Sequence, residues 1–82
     1  MIAAFIIDPT LVEVQWSDAV DSSTWTPAHF AMPGEGATGT AFLGVSSDVV
    51  QITFDNAVAE DTLLHSGVDA GIVSPDSIEV SS

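Results

Sequence analysis

Few side chains in this 82-residue sequence could do acid–base or metal chemistry. His29 and His65 are the only groups expected to titrate near neutral pH, and neither has a serine at a recognisable motif spacing. The chain has no cysteine, and a zinc site needs more nitrogen or sulfur ligands than two separated histidines offer. The sequence therefore predicts no catalytic residue, no cofactor-binding residue and no metal ligand. We expect a protein that is not an enzyme.

Acidic side chains cluster at two places, Asp18 with Asp21 and, later, Asp55 with Glu60 and Asp61. Calcium takes about six to eight oxygen ligands, commonly from closely spaced Asp or Asn residues with a glycine for the turn. No loop of that pattern occurs in the sequence. We interpret these carboxylates as solvated loop residues, with a structural calcium site as the alternative.

The charge balance is one-sided, because the chain has 12 acidic residues, no lysine and no arginine, and a formal net charge of -12. Nucleic-acid backbones and anionic membranes both attract Lys and Arg, so neither is an expected partner. A hydrophobic content of 46% and a mean hydropathy of +0.42 argue against disorder. We expect residues 1–82 to fold as one small domain.

Alternation of apolar and polar residues predicts an all-β fold. It is clearest at Val12, Val14 and Trp16, with Glu13 and Gln15 on the other face. A single helical turn is predicted from Asp21 to Trp25, with Asp21 as the N-cap. Seven short strands with a turn about every ten residues are typical of an Ig-like β-sandwich. The predicted strands span 2–7, 11–17, 29–32, 38–45, 49–54, 62–66 and 78–80.

The sequence contains one internal repeat. Residues 12–20 match residues 50–58 in type at nearly every position: an alternating strand, an aromatic residue, two polar residues, then Ala-Val. We interpret the two copies as equivalent strand-to-loop corners whose Ala-Val pairs, Ala19-Val20 and Ala57-Val58, close the ends of the core. Strand parity predicts a buried core of Val12, Val14, Trp16, Phe30, Phe42, Val50, Ile52, Phe54 and Val80.

The stretch VEVQWSDAVDSSTWTPAHFAM resembles the first half of bacterial Ig-like domains of S-layer and adhesin proteins. Trp16-Ser17 stands at the family's Phe-Ser, Ala19-Val20 at its Pro-Val, Trp25 at the leucine of its Asp-Pro-Ser-Ser-Leu-Thr turn, and His29-Phe30 at its Asn-Phe. The later VVQITFDNAVAEDTLL is similar to the family's second alternating strand and the corner that follows. The family's closing Asp-x-x-Gly-Asn turn has only a loose counterpart in residues 68–71. The resemblance implies an Ig-like sandwich.

The N-terminal run Met1–Ile7 is apolar on both faces. It is far shorter than the roughly 20 residues that span a bilayer, and it lacks the positive region of a secretory signal, so we interpret Met1 as a true start. The run is either a strand covered within its own domain or a segment that docks on another chain by strand addition. Candidate partner contacts are Ile2, Phe5, Ile7 and Trp25, although Trp25 is first of all expected to seal the edge of the core.

These features predict a non-enzymatic structural or interaction protein. The expected function is that of a phage capsid decoration (cement) protein, located in the virion, whose partner is a major capsid protein or another large assembly. The alternative is an Ig-like module of a bacterial cell-surface, S-layer or adhesin protein. A small carbohydrate-binding or calcium-dependent domain is a third class. The oligomeric state is left open.

Overall fold

The computed structural model describes residues 1–23, 25–66 and 76–82 of the chain, and they form an all-β fold. Seven antiparallel strands lie within these residues, in the order β1-β2-β5-β4-β3-β6-β7. The all-β prediction is confirmed, and every predicted strand has an observed counterpart. The strands are β1 (Ala3–Asp8), β2 (Leu11–Gln15), β3 (Phe30–Met32), β4 (Ala37–Ser46), β5 (Val49–Phe54), β6 (Leu63–Ser66) and β7 (Asp76–Glu79).

The long strand β4 joins the two halves of the fold. Its first residues pair with β3, through Ala37 opposite Met32, and its remaining residues pair with β5, through Phe42 opposite Ile52. Gly39 lies at the changeover, where a Cβ atom would overlap the carbonyl oxygen of Pro27. Only glycine leaves room for this close approach of the two backbones.

The ends of the strand order also meet. Ser81, which follows β7, forms a parallel bridge with Phe5 of β1. Ile6 donates its backbone N–H to the carbonyl of Ser81 (2.7 Å), and the N–H of Ser81 donates to the carbonyl of Ala4 (2.9 Å). The edge of β1 is therefore hydrogen-bonded over these residues. A strand added to β1 here would have to displace the C-terminal residues, which weighs against strand addition by the N-terminal run.

The core prediction is largely confirmed, because the alternating residues of β2 and β5 point inward as their pattern requires. Seven of the nine predicted core residues are buried, and Trp16 and Phe42 are half-buried against the core. Trp16 lies one residue beyond the end of β2, at the start of the corner where the chain leaves the sheet. The buried members are Val12, Val14, Phe30, Val50, Ile52, Phe54 and Val80.

Trp25 lies at the centre of an aromatic cluster. Its ring centroid is 5.1 Å from that of Trp16, 5.5 Å from Phe30 and 6.2 Å from Phe42, all in tilted arrangements. Offset and tilted aromatic pairs contribute about 0.5–1.5 kcal/mol beyond the area they bury. Trp25 thus seals the core, as its apolar position predicted.

The helical turn predicted from Asp21 to Trp25 forms only as a local turn in the described residues. Asp21 accepts the N–H of Ser23 (3.0 Å), as an N-cap would, and the N–H of Trp25 donates to Ser22 (3.1 Å). Pro27 prevents this turn from continuing as a helix, and a 3-10 turn forms instead at Pro27–His29. A second 3-10 turn, Pro33–Glu35, ends at Gly36 in the left-handed conformation (φ 61°). The predicted turns at residues 67 and 74–75, and the counterpart of the family's closing turn at 68–71, lie outside the described residues.

The internal repeat is structural and longer than the sequence pattern predicts. Glu13 and Gln51 are 38 residues apart. With the same offset, Phe5 opposite Glu13 in the β1–β2 pair becomes Leu43 opposite Gln51 in the β4–β5 pair. Ala3 opposite Gln15 likewise becomes Ala41 opposite Thr53. Both hairpins also share one irregularity at the same place, between residues 6 and 8 and between 44 and 46.

The two predicted corners are equivalent in their hydrogen bonds. Trp16 donates its N–H to the carbonyl of Asp48 (2.9 Å), and Phe54 donates to Thr10 (2.7 Å). Further along, the N–H groups of Val20 and Val58 donate to residues 47 and 9, both at 2.8 Å. Val20 and Val58 pack against the core as predicted. The neighbouring alanines at 19 and 57 are exposed, so each corner is closed by its valine alone.

Candidate docking surface

Strands β1, β2, β5 and β4 present one continuous outer face. Residues directly opposite each other in paired strands lie on the same side of a sheet. The register therefore places Phe5, Glu13, Gln51 and Leu43 in one row across all four strands. Residues of the flanking inward rows, such as Val12 and Ile52, are fully buried, so this row points away from the core. We call this surface the outer face.

Strands β1 and β4 expose four large apolar side chains in two pairs, and the register places one member of each pair, Phe5 and Leu43, on the outer face. Phe5 and Ile7 on β1 are 44% and 49% exposed, and Leu43 and Val45 on β4 are 66% and 53% exposed. The 38-residue repeat relates the first pair to the second. Single exposed apolar residues are ordinary, whereas an exposed contiguous group marks an interaction site more often.

Glu13 is the carboxylate at the middle of the outer face. It is half-buried, and its Oε1 accepts a hydrogen bond from Nε2 of Gln51 (3.1 Å). The four strands of this face are fully described, and the only other acidic residue in them is Asp8, at the end of β1. The charge of this acidic protein therefore lies almost wholly off the outer face.

Several loop carboxylates act as hydrogen-bond acceptors for the chain itself. Asp55 accepts the N–H of Thr38 (2.8 Å), and Glu60 accepts the hydroxyl of Ser82 (2.8 Å). Hydrogen bonds from the hydroxyl and the backbone N–H of Ser23 lower the pKa of Asp21 below the usual aspartate value. In the described residues no three His, Cys, Asp or Glu side chains are grouped so that they could hold a metal ion. Through these hydrogen bonds, carboxylates of the predicted acidic clusters stabilise the loops that contain them.

The structure brings together two of the four predicted contact residues. Phe5 lies on the outer face, and Ile7 is exposed two residues further along β1, at the irregularity between residues 6 and 8. Ile2 is 56% exposed but precedes β1, where its N–H donates to Gln15 (2.8 Å). Trp25 is only 9% exposed, so a partner could reach little of its ring.

Sequence reasoning missed Leu43 and Val45 as contact residues. The signal was present for Leu43, because Phe42 was predicted to point inward and alternation then turns the next residue outward. The strand order was not predictable from this pattern. Without that order, nothing in the sequence joined β4 to β1 on one surface.

Comparisons of the chain with models of protein families, with curated proteins and with solved structures gave no match. Within the described residues, no helix has the length and apolar character needed to cross a membrane.

Proposed function

We propose that the protein is a non-enzymatic interaction protein that docks on a larger assembly through its outer face, most concretely as a phage capsid decoration protein. The observation that supports this proposal is the pair of exposed apolar groups, Phe5 with Ile7 and Leu43 with Val45, on an otherwise acidic body. Burying such side chains is favourable by about 25 cal/mol for each Å² removed from water.

The charge distribution favours the same use. Net charge far from zero keeps a small protein soluble and apart from its own copies. Carboxylates at loops and strand ends would then surround an apolar contact area. Many copies could remain dispersed until they meet a surface that is both apolar and basic.

Co-sedimentation tests this function. The probe is an undecorated capsid assembled from a major capsid protein, if one is encoded beside this chain's gene; a gene neighbourhood without capsid genes would count against the decoration function. We expect the wild-type protein to pellet with these capsids, and Phe5→Ser and Leu43→Ser each to lower the bound fraction at least fivefold. Thermal melts of the free variants check that each one is folded.

Leu63→Ser is the matched control, because Leu63 is an equally exposed apolar residue (47%) on β6, which is not one of the four strands of the outer face. It should pellet like the wild type. Equal loss in all three variants would mean that general stickiness, not the outer face, drives attachment. If the wild-type protein does not pellet, the decoration function is wrong and the Ig-like surface module becomes the preferred function.

A further inference from the structure

We infer that the outer face recognises an arginine of a protein partner, held between Phe5 and Glu13 and flanked by apolar side chains. This inference goes beyond the proposed function and depends on it only for the choice of face. Docking would bury Glu13, the charge at the middle of the outer face. Glu13 is half-buried already, and its side chain accepts a hydrogen bond from a neutral amide, that of Gln51.

A surface that covers the outer face takes Glu13 out of water. Removing a carboxylate from water without a cationic partner is strongly unfavourable. No lysine or arginine of this chain can supply the cation, because it has none. The partner must therefore supply the cation. Without it, the cost of burying Glu13 would offset much of the free energy gained by burying the apolar side chains.

The same argument disfavours a second copy of this chain as the occupant. Two outer faces packed together would bury two Glu13 carboxylates and no arginine or lysine. Each copy also carries a net charge of -12, which opposes their association. A partner with a cation at the contact avoids both the burial of unpaired carboxylates and the repulsion between like net charges.

Phe5 makes arginine the preferred cation. Phe5 lies directly opposite Glu13 in the β1–β2 pair, and opposite residues have Cβ atoms about 4.5–5.5 Å apart. A planar guanidinium can donate two hydrogen bonds to a carboxylate and also stack on an aromatic ring. The compact ammonium of lysine does not combine these two contacts as well.

The repeat determines how the partner must be oriented on the outer face. In the other half of the outer face, Leu43 takes the place of Phe5 and Gln51 takes the place of Glu13. That half has neither the carboxylate nor the aromatic ring, so it suits apolar groups. Strands are about 4.8 Å apart, so the row from Phe5 to Leu43 spans roughly 14 Å. The partner should carry its arginine at one end of this span and apolar side chains over the rest.

A bead-based synthetic library of random dodecapeptides tests the inference without any capsid. Peptides that bind wild-type protein at about 150 mM NaCl should contain an arginine with apolar neighbours. The best one is then synthesised with a fluorophore, and its affinity is measured by fluorescence polarisation. Glu13→Gln keeps an oxygen for the hydrogen bond from Gln51, and we expect it to weaken binding at least tenfold.

Glu79→Gln is the matched control, because it removes one charge from the exposed face of β7 and should change the affinity less than twofold. The double variant Glu13→Gln/Gln51→Glu keeps the net charge and should still bind at least fivefold more weakly, since its carboxylate no longer faces Phe5. Binders that lack arginine, or equal losses in Glu13→Gln and Glu79→Gln, would overturn the inference. So would sedimentation analysis that finds wild-type dimers abolished by Leu43→Ser, because a second copy would then occupy the outer face.

The peptide-binding experiment and the capsid-binding experiment can fail independently of each other. If the arginine site exists but the wild-type protein does not pellet with capsids, the partner belongs to another assembly. If capsids bind through Leu43 while Glu13→Gln changes nothing, the docking function stands and the arginine site is wrong.

Discussion

Gln51 on β5 donates a hydrogen bond from Nε2 to Oε1 of Glu13 on β2 (3.1 Å), and these two residues are also equivalent positions of the internal repeat. Their strands pair with Glu13 directly opposite Gln51. A local two-fold axis between the two hairpins therefore passes between these side chains. The axis relates two hairpins with similar backbones, but Glu13 is charged and Gln51 is neutral. The two halves of the outer face are therefore chemically different, and a partner can bind in one orientation only.

Replacement of Phe54 tests the core. Phe54 is 2% exposed at the end of β5, and Phe54→Ala should lower the free energy of unfolding by about 3–5 kcal/mol. Loss of this size would unfold much of so small a domain. Urea unfolding followed by circular dichroism measures the change.

Thr53→Ala is the control for Phe54→Ala, because Thr53 is the neighbouring residue and is half-buried on the opposite side of the strand. It should cost less than about 1 kcal/mol. Comparable losses in both variants would contradict the inward and outward assignment of β5.

Strand positions were predictable because alternation records which face of a strand is buried. The alternation of Val50, Ile52 and Phe54 predicted the bounds of β5, and the resemblance to Ig-like domains implied that Trp25 seals the edge of the fold. The order of the strands was not predictable, because alternation shows which face of a strand is buried but not which strands pair with it. The outer face joins β1 to β4, which are far apart in the sequence, so it could be identified only from the register.

Gly39 gives a second test of packing. A Cβ at this position would overlap the backbone carbonyl oxygen of Pro27, which no side-chain rotation can relieve. Gly39→Ala should therefore lower the free energy of unfolding by about 1–3 kcal/mol. Gly34→Ala is the matched control, since no neighbouring atom lies within 4 Å of its Cβ position, and it should be nearly neutral. Thermal melts of both proteins decide it, and equal Tm values would disprove the close approach.

Asp21 should titrate at lower pH than an ordinary aspartate. Hydrogen bonds from the hydroxyl and the backbone N–H of Ser23 favour its charged form and lower its pKa. A lowered folded-state pKa means that this contribution to stability is present at neutral pH and is lost as the pH falls through that pKa. NMR titration of the side-chain carboxyl carbon measures the midpoint. Ser23→Ala removes the hydroxyl and should raise the midpoint, and an unchanged midpoint would exclude the hydroxyl as the cause.

Salt should stabilise the protein more than calcium does. The chain carries 12 acidic residues and no lysine or arginine, so its carboxylates repel one another and lack a permanent internal counter-ion. At about 1 M NaCl the Debye length is near 3 Å, which screens most of this repulsion. We expect the Tm to rise by about 4–8 °C, equivalent to about 1 kcal/mol for a domain of this size. Melts in NaCl with a chelator measure the effect. Addition of about 1 mM calcium chloride at constant ionic strength should add little. A large rise specific to calcium would instead support a structural calcium site at one of the two acidic corners, Asp18 with Asp21 or Asp55 with Glu60 and Asp61.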